Sequence, residues 1–222
     1  MIFPCPPQFR ILVPQTREAI VHEAFYRPIG STGILRRKVC GKAGLLGFRD
    51  QCLWAAKYAD TVQSMPKGQY RNAFEIGCSI GVLTAQLAKR CSQLLAIDVA
   101  DQALAAAQAC CAALSNVQIA KMRFPAEPPL SRTRFDLTVV SEVGYYWSWE
   151  DLAAAQDVIE ERLESKGHLI LVHWTPPVSD YPLIGDEVHE SFLQRPSLKW
   201  LQGHRVDRYR LDVLEKKSSK ER

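Results

Sequence analysis

The stretch FEIGCSIGVLT, residues 74–84, constrains this chain more than any other: an apolar run stops at two glycines and a helical pattern follows. A strand that ends in a glycine loop and feeds a helix presents free backbone N–H groups and the positive end of a helix dipole at the carboxyl edge of a sheet. Nucleotides bind at such turns. In the dinucleotide fingerprint, G-x-G-x-x-G, the middle glycine lets a pyrophosphate approach the backbone. Here the pattern is Glu75-x-Gly77-x-x-x-Gly81. A carboxylate two residues before the first glycine repels a pyrophosphate but suits a ligand bearing an ammonium and a sulfonium, and S-adenosylmethionine has both. A side chain at Gly77 is expected to fill the space the ligand needs while leaving the fold intact.

The second half of such a site is an acid at the end of the next strand, able to accept from both ribose hydroxyls. Asp98, which closes QLLAID, stands 21 positions after Gly77, the separation of a loop, a helix and a strand. The competing reading makes Asp98 a turn residue, with Asp101 as the helix N-cap. After the third strand, MRFPAE places Met122, Arg123 and Phe124 where they either flank an adenine or pack a strand end. With the adjoining Cys78, Val99 and Ser141, these positions form the expected cofactor set.

Apolar runs predict strands over 73–76, 94–98, 117–122, 135–141 and 168–174. The first four lack polar alternation, as expected of a parallel sheet covered on both faces. Helical spacing predicts helices over 50–62, over 82–91 with Leu83, Leu87 and Cys91 on one stripe, and over 101–114 with Leu104, Ala107, Cys111 and Leu114. A capping box of Ser148 and Asp151 opens the next helix, whose stripe is Leu152, Ile159 and Leu163, and Gly167 closes it. SLKWLQGHRVDRYRLDVLEKK reads as an antiparallel hairpin in which Tyr209, Leu211 and Val213 alternate with Arg210 and Asp212. The fold class is therefore α/β: a doubly wound, mainly parallel, Rossmann-like seven-stranded sheet with a C-terminal antiparallel hairpin. Residues 1–48 form a poorly defined segment with a short helix near 18–25, residues 49–217 the main domain, and 218–222 a frayed tail.

A formal charge of +4, from 28 basic and 24 acidic residues largely interspersed, argues against nucleic acid as a partner. Two basic clusters, Arg36-Arg37-Lys38 and Lys216-Lys217, read as a loop and a frayed tail. Seven cysteines without a CxxC pair suggest neither a disulfide framework nor a zinc site, and the adjacent Cys110 and Cys111 read as helix packing. No run of about 18 to 20 apolar residues offers a membrane span. The N-terminus is broken by prolines and Arg10 where a signal peptide needs an uninterrupted apolar region. A reducing, cytoplasmic setting is expected.

The segments FEIGCSIGVLTAQLA, LLAIDVADQAL, FDLTVVSEVGYYW and GHLILVHWTPP resemble the successive motifs of class I methyltransferases over roughly residues 49–216. More narrowly, EVGYYW and HWTPPVSDYPLIGDEVH are similar to the nodulation protein S branch. Members of that branch N-methylate a deacetylated chitooligosaccharide during lipo-chitooligosaccharide synthesis, and related sequences occur beside, or fused to, sugar deacetylase domains. The resemblance implies an amine on a sugar as methyl acceptor and a deacetylase as working partner.

Methyl transfer from a sulfonium is an in-line displacement, so positioning dominates, and an ammonium acceptor must first lose a proton. The acceptor groups belong at the carboxyl ends of the fourth and fifth strands. Glu142 and His173 are the candidate catalytic residues there; Tyr145, Tyr146, Trp147 and Trp174 are candidates to hold a cationic amine or a pyranose ring. Downstream, Asp180, Asp186, Glu187 and His189 could meet an amino sugar through charge-assisted hydrogen bonds. No compact ligand set suggests a metal. Three alternatives remain at this level: an oxygen-directed methyltransferase of the same fold, an NAD-binding oxidoreductase, and a non-catalytic binding module.

Overall fold

The computed structural model describes residues 45–129 and 132–218, with side chains from Leu53 onward. The expected helix near 18–25 and the Arg36-Arg37-Lys38 cluster lie outside the described residues. The chain runs α1 (Leu45–Gln63), β1 (Tyr70–Ile76), α2 (Val82–Leu87), β2 (Cys91–Asp98), α3 (Asp101–Cys110), β3 (Val117–Lys121), β4 (Phe135–Ser141), α4 (Trp149–Arg162), β5 (Leu163–Trp174), α5 (Gly185–Leu193), β6 (Leu198–Arg205) and β7 (Tyr209–Lys216).

These seven strands form one sheet in the order β3-β2-β1-β4-β5-β7-β6. The first five are parallel, and β7 inserts antiparallel between β5 and β6. Strand β4 is buried at every position, which explains its unbroken apolar character. Successive side chains of β1 serve opposite faces. Phe74 and Ile76 join α4 and α5 through Leu152, Ile159, Val188 and Phe192, whereas Ala73 meets α2 through Leu83 and Leu87. Each fully buried Leu or Ile here contributes about 1.5–3 kcal/mol.

Several local expectations change. Cys91 opens β2 instead of closing a helical stripe, because α2 ends at Leu87 and a single 3-10 turn follows. Helix α3 stops at Cys110, short of Leu114, and its N-cap is Ala100, with Asp101 the first helical residue. Helix α4 ends at Arg162 with Leu163 as its C-cap and the first residue of β5, so Gly167 lies inside that strand, after the left-handed Lys166 (φ 61°), and does not cap α4. The helix start is as expected in its first half: the Ser148 hydroxyl accepts from the Asp151 N–H at 3.0 Å. Lys216 is no frayed residue. Its ammonium donates to the Glu160 carbonyl and, at 2.6 Å, to that of Leu163, tying the end of β7 to the end of α4.

Candidate functional site

Strand order reverses between β1 and β4, since β1 leads outward through β2 to β3 and β4 leads the other way to β5. A crevice opens at the carboxyl ends of two strands that part in this way. The glycine turn follows β1 there, and Glu142 follows β4.

Gly77 (φ 86°) and Gly81 (φ 81°) both occupy the left-handed region. A Cβ on Gly77 would stand 2.7 Å from the Ser141 carbonyl oxygen and 3.1 Å from Val143, so its substitution strains the β1–β4 junction itself and not only a ligand's space. At Gly81 a Cβ would press on the backbone of Ala107, so this glycine brings α2 against α3. The expectation of free N–H groups also changes: Gly77 and Cys78 both donate to the Ile97 carbonyl, Gly81 donates to that of Cys78, and Ser79 donates to Asp98.

Glu75 is wholly buried at the end of β1, and among the described residues neither of its carboxylate oxygens has a hydrogen-bond partner. Desolvation pushes its pKa up to about 8, with the charge of Asp98 adding to the rise and the nearby Thr84 hydroxyl opposing it. A buried acid without a donor is costly unless a ligand supplies the donor or the positive charge. The residues thus fit a cationic ligand.

Asp98 bridges the two turns: Oδ1 accepts from Val99 and Ala100 at 2.7 and 3.0 Å, and Oδ2 accepts from Ser79 at 3.0 Å. A carboxylate accepts about four hydrogen bonds. One position remains, on Oδ2, where the sequence suggested room for two ribose hydroxyls. Cys78 is buried, with its thiol near the Ser79 carbonyl. Phe124 turns inward, against Phe74 and Trp147, while Met122 is half-buried and Arg123 exposed.

At the other side of the crevice Glu142 holds a left-handed backbone (φ 56°), unusual for a non-glycine residue. Its side chain accepts from Lys57 Nζ at 2.5 Å on Oε1, and from the Tyr145 hydroxyl at 2.6 Å and the Trp174 N–H at 3.2 Å on Oε2. The Lys57 ammonium also lies 3.4 Å from the Trp54 ring centroid. Burial lowers the Lys57 pKa, against the charge and hydrogen bond of Glu142. Tyr145 stacks on Tyr181 at 5.0 Å, and the Tyr146 hydroxyl donates to that of Tyr181. Trp147 is buried beside Phe124, and the Arg208 guanidinium lies 5.5 Å over the Trp174 ring.

His173 does not face the crevice as an available base. Its Nε2 accepts from the Gly144 N–H at 3.1 Å and its Nδ1 lies 3.1 Å from His189 Nε2. Desolvation, then the neighbouring His189, then Lys57 hold its pKa well below the usual imidazole range. His189 is buried on Asp212, Asp186 pairs with Arg205, Glu187 accepts from the Ile184 N–H at the start of α5, and Asp180 is exposed beside Ser179. The four downstream residues therefore form no single acceptor cluster.

Sequence reasoning missed three participants. Lys57 was legible as a lysine inside the apolar stripe of α1. Asp212 was placed on the exposed side of its strand but is 4% exposed. Tyr181 left no signal beyond being aromatic in a loop.

A family model described as nodulation protein S (NodS) matches residues 50–175, more than half of the chain. Nodulation protein S of Sinorhizobium fredii (strain NBRC 101917 / NGR234) is 34% identical over 112 residues, covering 48% of this chain and 49% of that protein. The match thus spans about half the length of this curated relative. Among solved structures, a Pseudomonas syringae protein assigned as a methyltransferase is 31% identical, with a TM-score of 0.66 over 74% of this chain and 99% of that one. N-methyltransferase NodS from Bradyrhizobium japonicum WM9 in complex with S-adenosyl-L-homocysteine is similar in fold, at 22% identity and a TM-score of 0.65 over 73% and 86% of the two chains.

Proposed function

We infer that this chain, which belongs to the nodulation protein S family, is an S-adenosylmethionine-dependent methyltransferase that N-methylates an amino sugar or a deacetylated oligosaccharide. The observation that carries the cofactor reading is Glu75, a wholly buried carboxylate whose oxygens lack a partner among the described residues. A dinucleotide phosphate beside it would bring neither a donor nor a positive charge to this buried acid and would push its pKa higher still, which disfavours the oxidoreductase reading. Glu75, Gly77, Cys78, Gly81, Asp98, Val99 and Ser141 are the residues we assign to the cofactor, with Met122 and Arg123 at the adenine edge. When bound, S-adenosylmethionine supplies an electrophilic methyl group.

We assign Glu142 to the acceptor amine. It already holds one ammonium, that of Lys57, and three of its roughly four acceptor positions are taken, leaving one on Oε1. That position can take the proton an ammonium acceptor must lose before attack. Its left-handed backbone is the kind of strain found at functional sites. Tyr145, Tyr146 and Trp174 line the same end of the sheet and are proposed to hold the sugar. Residues 49–217 form the catalytic domain in this reading.

An amide nitrogen is a poor nucleophile, so a free amine must be supplied by a deacetylating reaction upstream; this is the partnership we propose with a sugar deacetylase. We propose a cytoplasmic setting for it; among the described residues no helix is long and apolar enough to cross a membrane. The test is methyl transfer from labelled S-adenosylmethionine to glucosamine, to a deacetylated chitooligosaccharide and to a catechol. Label on the amines supports the reading; label on the catechol alone replaces it with oxygen-directed transfer.

A further inference from the structure

The geometry points to Asp212 and His189 as positioning residues that fix the tautomer of His173, so that His173 holds the turn carrying Tyr145 and Tyr146 in place over the acceptor site. This inference rests on the functional reading above.

Four groups lie in a chain from β7 to the turn after β4. His189 Nδ1 is 2.7 Å from Asp212 Oδ2, His189 Nε2 is 3.1 Å from His173 Nδ1, and His173 Nε2 is 3.1 Å from the Gly144 nitrogen. Only one arrangement of protons satisfies every contact with both rings neutral. The Gly144 N–H can only donate, so His173 Nε2 must present its lone pair. The proton of His173 is then on Nδ1 and donates to His189 Nε2, and that of His189 is on its own Nδ1 and donates to Asp212.

Burial supports the neutral state. Both imidazoles are fully buried, and desolvation lowers the pKa of each, with Asp212 opposing the fall at His189. Asp212 is itself fixed: Trp200 Nε1 donates to Oδ1 at 2.8 Å and Arg210 Nε to Oδ2 at 2.7 Å. Hydrogen bonds from His189 and Trp200 and the Arg210 charge outweigh desolvation and hold its pKa below the usual carboxylate range. The aspartate is thus a charged anchor that dictates which nitrogen of His189 carries the proton.

The far end of the relay has no slack. A Cβ on Gly144 would stand 2.6 Å from Val188 and 3.0 Å from His173 Nε2, so only glycine lets the ring reach this backbone. The next residue, Tyr145, donates to Glu142 and stacks on Tyr181, and its carbonyl accepts from the Leu183 N–H. Losing the hold on Gly144 therefore displaces the hydroxyl that orients Glu142.

Nitrogen-15 NMR of the full chain, with histidine labelled, tests the relay directly. The expected spectrum shows two pH-insensitive neutral rings, both in the Nδ1–H form, assigned through His173→Gln and His189→Leu. An Nε2–H form of either ring overturns the proposal. Kinetics with a deacetylated chitooligosaccharide test its role. His189→Leu and His173→Leu are expected to lower kcat/KM for the acceptor about tenfold to a hundredfold, the cost of misplacing a positioned group, with the S-adenosylhomocysteine Kd held within about twofold of wild type. His173→Gln, whose side-chain oxygen can still accept from Gly144, is expected to recover most of the loss. A folded His189→Leu protein with wild-type kcat/KM, or a Gln variant no better than Leu, overturns the positioning role. Failure of the functional reading would show differently, as a wild-type protein without affinity for S-adenosylhomocysteine, and the tautomers would still decide the relay.

Discussion

The Lys57 ammonium sits 2.5 Å from Oε1 of Glu142, and both side chains are only 3% exposed. Breaking a buried pair from one side leaves a charge without its partner, at a cost of about 3–5 kcal/mol, whereas removing both charges is often close to neutral. Lys57→Met and Glu142→Gln are each expected to destabilise the protein by about that amount. The double variant should lose less than the sum of the two, as neighbours in contact do. Urea unfolding of the four proteins measures the coupling; additive losses would mean that the contact contributes nothing of its own. Glu142→Gln should also lose methyl transfer while retaining cofactor affinity.

Glu75 predicts a pH dependence of the ligand-free protein. Its pKa rises from 4.5 to about 8 on folding, so the native state binds the proton more tightly than the unfolded chain. The stability this contributes is full below pH 4.5 and is lost as pH rises towards 8, at about 1.4 kcal/mol per pH unit between the two values. Relative to Glu75→Gln, which cannot titrate, the wild-type protein should weaken steadily from pH 5 to 8 and then level off. Denaturant melts of both proteins across that range check the slope. Parallel curves would show that Glu75 is ionised in the empty protein.

Much of this architecture was legible because burial on both faces of a parallel sheet leaves no polar alternation, as in Phe135–Ser141. The hairpin was legible from period-two alternation around a polar turn. Helix ends were less so: an apolar Cys91 fits the stripe of a helix and the start of a buried strand equally well. The site divides similarly. Glu75, Gly77 and Asp98 stand at fixed offsets from a glycine turn, so their places follow from spacing. Local spacing cannot show that His173 meets Gly144 and His189, because those contacts depend on the turn after β4, β5, α5 and β7 coming together from residues 68 positions apart, Gly144 to Asp212. Nor does alternation reveal that Asp212 is buried, since what covers its side chain is His189 of α5, Trp200 of β6 and the neighbouring Arg210.

Gly77 should prove as much a folding residue as a binding one. A Cβ there would crowd the Ser141 carbonyl at 2.7 Å, and the backbone is left-handed at φ 86°. Gly77→Ala is expected to cost about 1–3 kcal/mol through backbone strain alone, and Gly77→Val more, because Val143 blocks the larger side chain. Thermal unfolding without ligand separates this from a binding defect. An unchanged Tm for Gly77→Ala would return the residue to the purely ligand-facing role that its sequence suggested.

Asp98 joins the turn after β1 to the turn after β2 through Ser79, Val99 and Ala100, and only one acceptor position on Oδ2 is left for a ligand hydroxyl. Asp98→Ala should therefore show two effects together. Leaving three N–H donors without their acceptor lowers the stability of the empty protein by about 1–3 kcal/mol, with water making up part of the loss. Losing a hydrogen bond to a charged group weakens S-adenosylhomocysteine by about 1.5–3 kcal/mol, roughly tenfold to 150-fold in Kd. Asp98→Asn separates the two. Its amide oxygen can still serve Val99 and Ala100, but its NH₂ group then meets the Ser79 N–H, so part of the stability should return while the affinity for the ligand stays low. Calorimetry for binding and urea melts for stability give both readings on the same preparations. A wild-type Kd in a folded Asp98→Ala protein would leave Asp98 as a strut between the two turns and move the ribose contact elsewhere.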